Sequence, residues 1–393
     1  MIEATRPAPP AFDRIQRGAL IVGIVGIALL IVGAVLSPAQ FFRSYLVGYL
    51  FWLGIALGCL AIVMLHYLSG GTWGAVLRRF LESGTKTIPL MALLFVPLVF
   101  GLPYLYVWAR PEAVAKDELL QYQSLYLNIP FFLIRAAIYF VTWGVLVYFL
   151  NKWSAEQDRT ADPEVTRHLR LLSAGGEVLF GLTATFAFID WVMSLEPHWF
   201  STIYSAMVTM GDVLGAFAFV IAVVALLANW EAFAEVTTPR LWNDFGSLLL
   251  AFVMIWAYLA FSQFMLIWAG NLTDEIPWYL RRINFGWQWV ALLVVLFHFA
   301  LPFALLLSRD LKRNAQQLAM VAIVIVVMHL IDTFWLVEPA FTETGLRVHW
   351  LDVVAPVGLG GIWIAVFVWQ LKKRPLLPLH DTQLQSREGR GHE

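Results

Sequence analysis

The chain has 393 residues, 60% of them hydrophobic and 13% charged, with a formal net charge of −1. Soluble domains carry about a quarter charged residues, so the composition excludes an ordinary soluble enzyme and indicates a polytopic membrane protein. The near-neutral balance names no polyanionic partner, and the single cysteine, Cys59, excludes disulfides, iron–sulfur ligation and c-type haem, which needs Cys-x-x-Cys-His.

Residues 1–17 read as a polar tail. A membrane crossing takes about 20 apolar residues. Ten stretches qualify, roughly 18–36, 43–69, 87–108, 130–150, 170–194, 201–229, 244–269, 284–307, 316–338 and 350–371. The first exceeds the 7–15-residue apolar core of a cleaved leader and is expected to be a retained helix. Residues 372–393 read as a second polar tail. Of the 26 Lys and Arg, 19 fall in the tails and the loops after helices 2, 4, 6 and 8; six fall in the other loops, and Arg135 lies inside helix 4. The positive-inside rule then puts both termini in the cytoplasm. Arg78-Arg79 and Lys372-Lys373-Arg374 are read as topology signals, and nucleic-acid binding is not expected. Gly-rich phosphate loops are absent, so the chain by itself should hydrolyse no nucleotide.

Residues 189–197 read I-D-W-V-M-S-L-E-P and residues 331–339 read I-D-T-F-W-L-V-E-P. The frame Ile-Asp-x5-Glu-Pro recurs at an offset of 142, and each copy closes a long apolar segment. Acids are costly inside a bilayer and mark function there. Two copies four helices apart, running the same way, imply a parallel duplication. The expected parse is helices 2–5 in one bundle (43–198) and helices 6–9 in another (199–340). Helix 1 (18–42) and helix 10 (341–371) are then peripheral. Pro197 and Pro339 end their helices, since proline cannot donate the next backbone bond. Gly54-x3-Gly58 and Gly358, Gly360 and Gly361 are read as close-packing positions.

Counting depth at 1.5 Å per residue puts Arg135, Asp190, Glu196, His198, Asp212, His329, Asp332, Glu338 and Asp352 on the outward side. His66, Glu177, Asp244 and His298 fall on the inward side. Carboxylate–histidine pairs in a low dielectric suit proton transfer. Arg135 is the natural counter-ion for one acid, and the competing reading is a structural ion pair that moves no protons. His66 reads as a polar core residue, and Asp244 and Asp352 as caps. No helix carries paired histidines for haem or clustered ligands for a metal, so neither is expected.

The stretch F188-I-D-W-V-M-S-L-E-P-H-W-F-S-T-I-Y204, with F261-S-Q-F-M-L-I-W268, E275-I-P-W-Y-L-R-R282 and W335-L-V-E-P-A-F341, resembles the ActF subunits of alternative complex III. These belong with NrfD/PsrC-like membrane subunits of bacterial quinol:electron-acceptor oxidoreductases. The resemblance spans all ten helices. It implies two four-helix bundles in a bacterial cytoplasmic membrane. It also implies partners: a sister NrfD-like subunit (ActC), a multihaem cytochrome c, an iron–sulfur subunit and small subunits. Haem c, iron–sulfur clusters and menaquinol or another quinol would then belong to those partners, with no cofactor bound by this chain. On that resemblance Asp190, Glu196, His198, Asp332 and Glu338 fall in family-like motifs. These five are candidates for a proton path, and Arg135, Glu177, Asp212, His298 and His329 join them by depth alone.

Four functions compete. The first is a proton-conducting, scaffolding subunit of a respiratory or photosynthetic electron-transport complex. The second is a quinol-oxidising subunit, with Asp190, His198 or Asp332 as proton acceptor. The third is a secondary transporter, disfavoured because Pro97, Pro103 and Pro302 break helices at unmatched positions. The fourth is pure scaffold. The first is the expectation.

Overall fold

The computed structural model describes residues 11–378, apart from 161, 229, 231, 232, 234, 235, 343 and 344. It is an all-α, multi-pass membrane protein with no strand among the described residues. Ten helices in that range are long and apolar enough to cross a bilayer. They are span 1 (Ala11–Leu36), span 2 (Pro38–Ser69), span 3 (Thr72–Leu105), span 4 (Ile129–Thr160) and span 5 (Pro163–Leu195), followed by span 6 (Tyr204–Leu226), span 7 (Pro239–Gly270), span 8 (Trp287–Leu306), span 9 (Ala315–Ala340) and span 10 (Trp350–Leu371).

Local chemistry fixes several starts. Pro38, Pro163 and Pro239 each stand in a first turn, where the missing N–H costs nothing. The Asn314 side chain accepts from the Gln316 and Gln317 amides at 3.0 and 3.1 Å and caps span 9. Thr238, not Asp244, caps span 7, accepting from the Leu241 amide at 3.4 Å. Asp352 closes a capping box with His349 at the start of span 10.

Spans 2, 3, 4 and 5 close one ring of neighbours, and spans 6, 7, 8 and 9 close a second. The rings meet where span 2 packs on span 6 and touches span 9. Span 2 is buried along its whole apolar length. Span 10 packs on span 2, with Trp363 against Trp52, and Trp363 and Phe367 meet Phe219 of span 6 edge-on. Span 1 lies outside span 10, so close that a Cβ on Gly26 would stand 2.3 Å from the Gly358 Cα. Only glycine permits that approach.

Two sequence expectations are corrected. Residues 11–17 are helical, not tail, and Lys372 bonds back to Gln16 at 2.7 Å and to Asp13. The remainder of both expected tails, 1–10 and 379–393, lies outside the described residues. Residues 72–85, read as a loop because of Arg78 and Arg79, form a buried helical arm of span 3. Its charges are neutralised in place. Arg79 bonds Glu82 at 2.8 Å, Ser154 at 3.0 Å and also Asp158, while Arg78 bonds Gln157 at 2.8 Å. Arg374 joins through the Asn151 carbonyl at 3.0 Å. Buried charges persist when paired and hydrogen-bonded, and the apolar count along the sequence does not see that pairing.

Candidate functional site in the second motif

Asp190, in the first motif, ends span 5 fully buried. Arg135 of span 4 meets it in a two-pronged contact, Nε to Oδ2 at 2.8 Å and Nη2 to Oδ1 at 2.9 Å. The Tyr139 hydroxyl donates to Oδ2 at 2.8 Å, and Arg135 Nη1 reaches the Tyr126 carbonyl, also at 2.8 Å. Tyr139 stands four residues after Arg135, on the same helix face, which is what brings both to one carboxylate. This carboxylate is paired with a fixed cation, and Arg135 is the counter-ion of one acid as expected.

Asp332, in the second motif, is also buried, but no Arg or Lys pairs with it among the described residues, and its carboxylate accepts no hydrogen bond there. Its neighbours are imidazoles. One donor atom from each of His298, His329 and Asp332 lies within 4.8 Å of the others. His329 Nε2 stands 3.3 Å from Asp212 Oδ1 of span 6, and the His298 and His329 rings stack at 6.2 Å between centroids. The depth count put His298 on the inward side, away from this group. It lies near the middle of span 8, where division into halves fails, and the fold brings it to His329.

Two backbone features make the cluster possible. Residues Val294–Ala300 form a π-helix, a turn type found disproportionately at functional sites. Pro302 is its cause: it has no N–H for the His298 carbonyl four residues back, and its ring crowds that carbonyl. The wider turn carries His298 inward against Trp256, 4.4 Å between centroids. On the other side, Gly54 and Gly215 leave room. A Cβ on Gly54 would stand 2.1 Å from Asp212 Oδ1, and one on Gly215 2.5 Å from His329 Cδ2. The Gly54-x3-Gly58 pair therefore packs spans 2 and 6 together around an acid.

Asp332 also reaches a cavity of about 550 Å³ among spans 6, 7, 8 and 9, lined by Met207, Trp256, Phe261, Phe264, Trp335 and other apolar side chains. The polar members of its lining include Tyr258, Gln263, Tyr279 and Asp332. Burial pushes the Tyr279 hydroxyl up to about 12, so it stays protonated. On the opposite side Asp332 shares a pocket of about 20 Å³ with Asp212 and His329. That volume admits one water molecule.

The other expected residues lie elsewhere. Glu196 pairs with Arg281 at 3.2 Å and Arg282 at 3.3 Å, tying the first motif to residues 276–282 of the second half. Burial lowers the Arg282 guanidinium from its usual range, against the pull of Glu196. Arg282 Nη2 also donates to the Leu336 carbonyl at 2.9 Å, so it touches both motif copies. His198 is exposed and pairs with Asp117 at 2.8 Å in a surface loop. Partial burial would raise the Asp117 carboxyl, but the Leu119 and Leu120 amides and His198 outweigh it and hold it below the usual range. Glu338 lines a separate polar cavity of about 730 Å³ with Gln40, Arg43, Arg347 and His349. Glu177 is half-buried on span 5 and is not brought to the cluster. His66 packs on Trp73 in the core.

Sequence reasoning passed over Tyr139, Trp256, Gln263 and Arg282. Tyr139 had a signal, its spacing of four from Arg135. Trp256 had none, because one tryptophan among 18 carries no mark of its neighbour. No protein-family model matches the chain, and no curated protein matches it in sequence.

Proposed function

We propose that the chain is a proton-handling membrane subunit of a quinol-oxidising complex of the alternative complex III type, in which Asp332, His329, His298 and Asp212 exchange protons. One observation carries this reading. Asp332 has no Arg or Lys paired to it among the described residues and lies between the apolar cavity and the small pocket it shares with Asp212 and His329. A carboxylate with no counter-ion and with imidazole neighbours changes its protonation state at modest cost, whereas one held by Arg does not. The resemblance of the motif stretches supplies the setting: a bacterial cytoplasmic membrane, both termini inside, beside a sister NrfD-like subunit, an iron–sulfur protein and a multihaem cytochrome c.

A second reading is favoured by the cavity itself. Its volume lies within the ordinary range for small-molecule sites, and its walls are apolar with few polar groups. A quinol ring fits such walls, with Gln263 and Tyr279 to orient a hydroxyl and Asp332 to accept its proton.

The test uses the intact membrane complex in vesicles, with quinol-driven proton release followed by a pH dye. Asp332→Asn is expected to lower protons moved per electron while Asp190→Asn leaves that ratio unchanged. If the Asp332→Asn complex moves protons at the wild-type ratio, the proton reading fails. If electron transfer itself stops and a bound quinol analogue leaves the cavity, the second reading takes its place.

A further inference from the structure

We infer that His298, His329 and Asp332 form a binding site for one first-row transition-metal dication, Zn2+ fitting best, with Asp212 orienting His329 from behind. The inference uses the residues of the proton reading but rests on another property, their donor chemistry. Two imidazoles and one carboxylate make a three-ligand set of the kind that leaves a fourth position for water or substrate. Imidazole nitrogen suits zinc and its neighbours in the series, whereas calcium and magnesium require a shell of oxygens.

Three observations point to a cation. The donor atoms come from two helices and converge within 4.8 Å at a fully buried place. His298 has no side-chain hydrogen-bond partner among the described residues, its backbone partner being the Ile325 carbonyl, which leaves at least one ring nitrogen free, and beyond its contact with Asp212 His329 has none either. Asp212 and Asp332 are two buried carboxylates with no Arg or Lys paired to either among the described residues. A dication held beside both restores neutrality where Arg135 does so for Asp190. The Asp212–His329 contact then has the form of a carboxylate–histidine–metal relay, which fixes ring orientation and raises ligand basicity.

Donors around a tetrahedral ion stand roughly 3.3 Å apart at zinc–nitrogen and zinc–oxygen bond lengths. Loading therefore closes the widest of these gaps by up to about 1.5 Å. Asp332, which accepts no hydrogen bond among the described residues and lines the cavity, is the member placed to move.

The experiment is a Zn2+ titration of the full-length chain in lipid nanodiscs after stripping with a chelator. One tightly bound Zn2+ per chain is expected. Asp332→Asn and His329→Gln should each weaken it at least a hundredfold, Asp212→Asn by about 10–100-fold, and Asp190→Asn not at all. Co2+ added to the wild-type chain should give the visible absorption of a four-coordinate ion, a readout that needs no variant to fold. No Zn2+ binding by the wild type, or equal binding by both ligand variants, overturns the site. Proton release measured with chelator present is independent of this result, so the proton reading stands or falls separately.

Discussion

Asp190 and Asp332 hold the same position in a repeated motif, each near the end of a span, each buried. Around Asp190 the protein has built a fixed, complete cage: a two-pronged guanidinium and a tyrosine hydroxyl. Around Asp332 it has placed histidines, a second acid and a cavity. Span 8, which packs on span 9 there, carries no Arg or Lys, and brings His298 where the first half brings Arg135. The difference teaches that the two copies of a duplicated acid can be given unlike partners, one a guanidinium and a phenol, the other imidazoles and an open cavity.

The sharpest way to break this contrast is to remove the cation from the first site. Arg135→Ala leaves the buried Asp190 carboxylate with the Tyr139 hydroxyl but no cation, and should cost about 3–5 kcal/mol, read as a fall in thermal stability and assembly yield. Adding Asp190→Leu to it should recover most of the loss. If Arg135→Ala folds as well as wild type, the first copy is not a structural pair. Next in size is the function of the second copy. Asp332→Asn should slow proton release by about a hundredfold, the usual scale for a lost acid–base group, while thermal stability holds or rises. Gly54→Ala tests the pocket behind Asp212. Its methyl would collide with Oδ1, so overpacking should cost about 1–3 kcal/mol and proton release should fall with it; Gly144→Ala, which meets nothing within 4 Å, should change neither.

The smallest effect belongs to the exposed pair. Burial opposes Asp117, but amide hydrogen bonds and His198 hold its folded carboxyl below the unfolded value. Their support is present above the ordinary aspartate range near pH 4 and is lost as acid protonates the carboxylate. His198→Ala should leave proton release and assembly unchanged at neutral pH. A fall in activity would return His198 to the path.

All ten spans were legible in the sequence, because each apolar run outlasts the hydrocarbon thickness. The arm at 72–85 was not, because hydropathy reads Arg78 and Arg79 as surface and has no knowledge of Glu82, Asp158 and Gln157 waiting at bonding distance. The motif acids were legible as a pair but not as opposites. Nothing in I-D-x5-E-P says which copy meets an arginine, since that partner sits 55 residues upstream in one half and is missing from the facing helix in the other. His298 was counted to the wrong side because depth along a helix is a poor measure near mid-membrane, and Pro302 was seen without the π turn it induces.

The glycine contact between spans 1 and 10 also sets an order of events during synthesis. Span 1 emerges first and shows Gly23, Gly26 and Gly33 to lipid until span 10, more than 300 residues later, supplies Leu351, Gly358 and Ile362. Span 2 waits as well: Trp52 donates to the Pro356 carbonyl at 2.8 Å, and Ser44 to Asp352. A nascent chain halted before span 10 thus carries an unfinished seam along the helix at its centre. The last crossing made is the one that completes the first two.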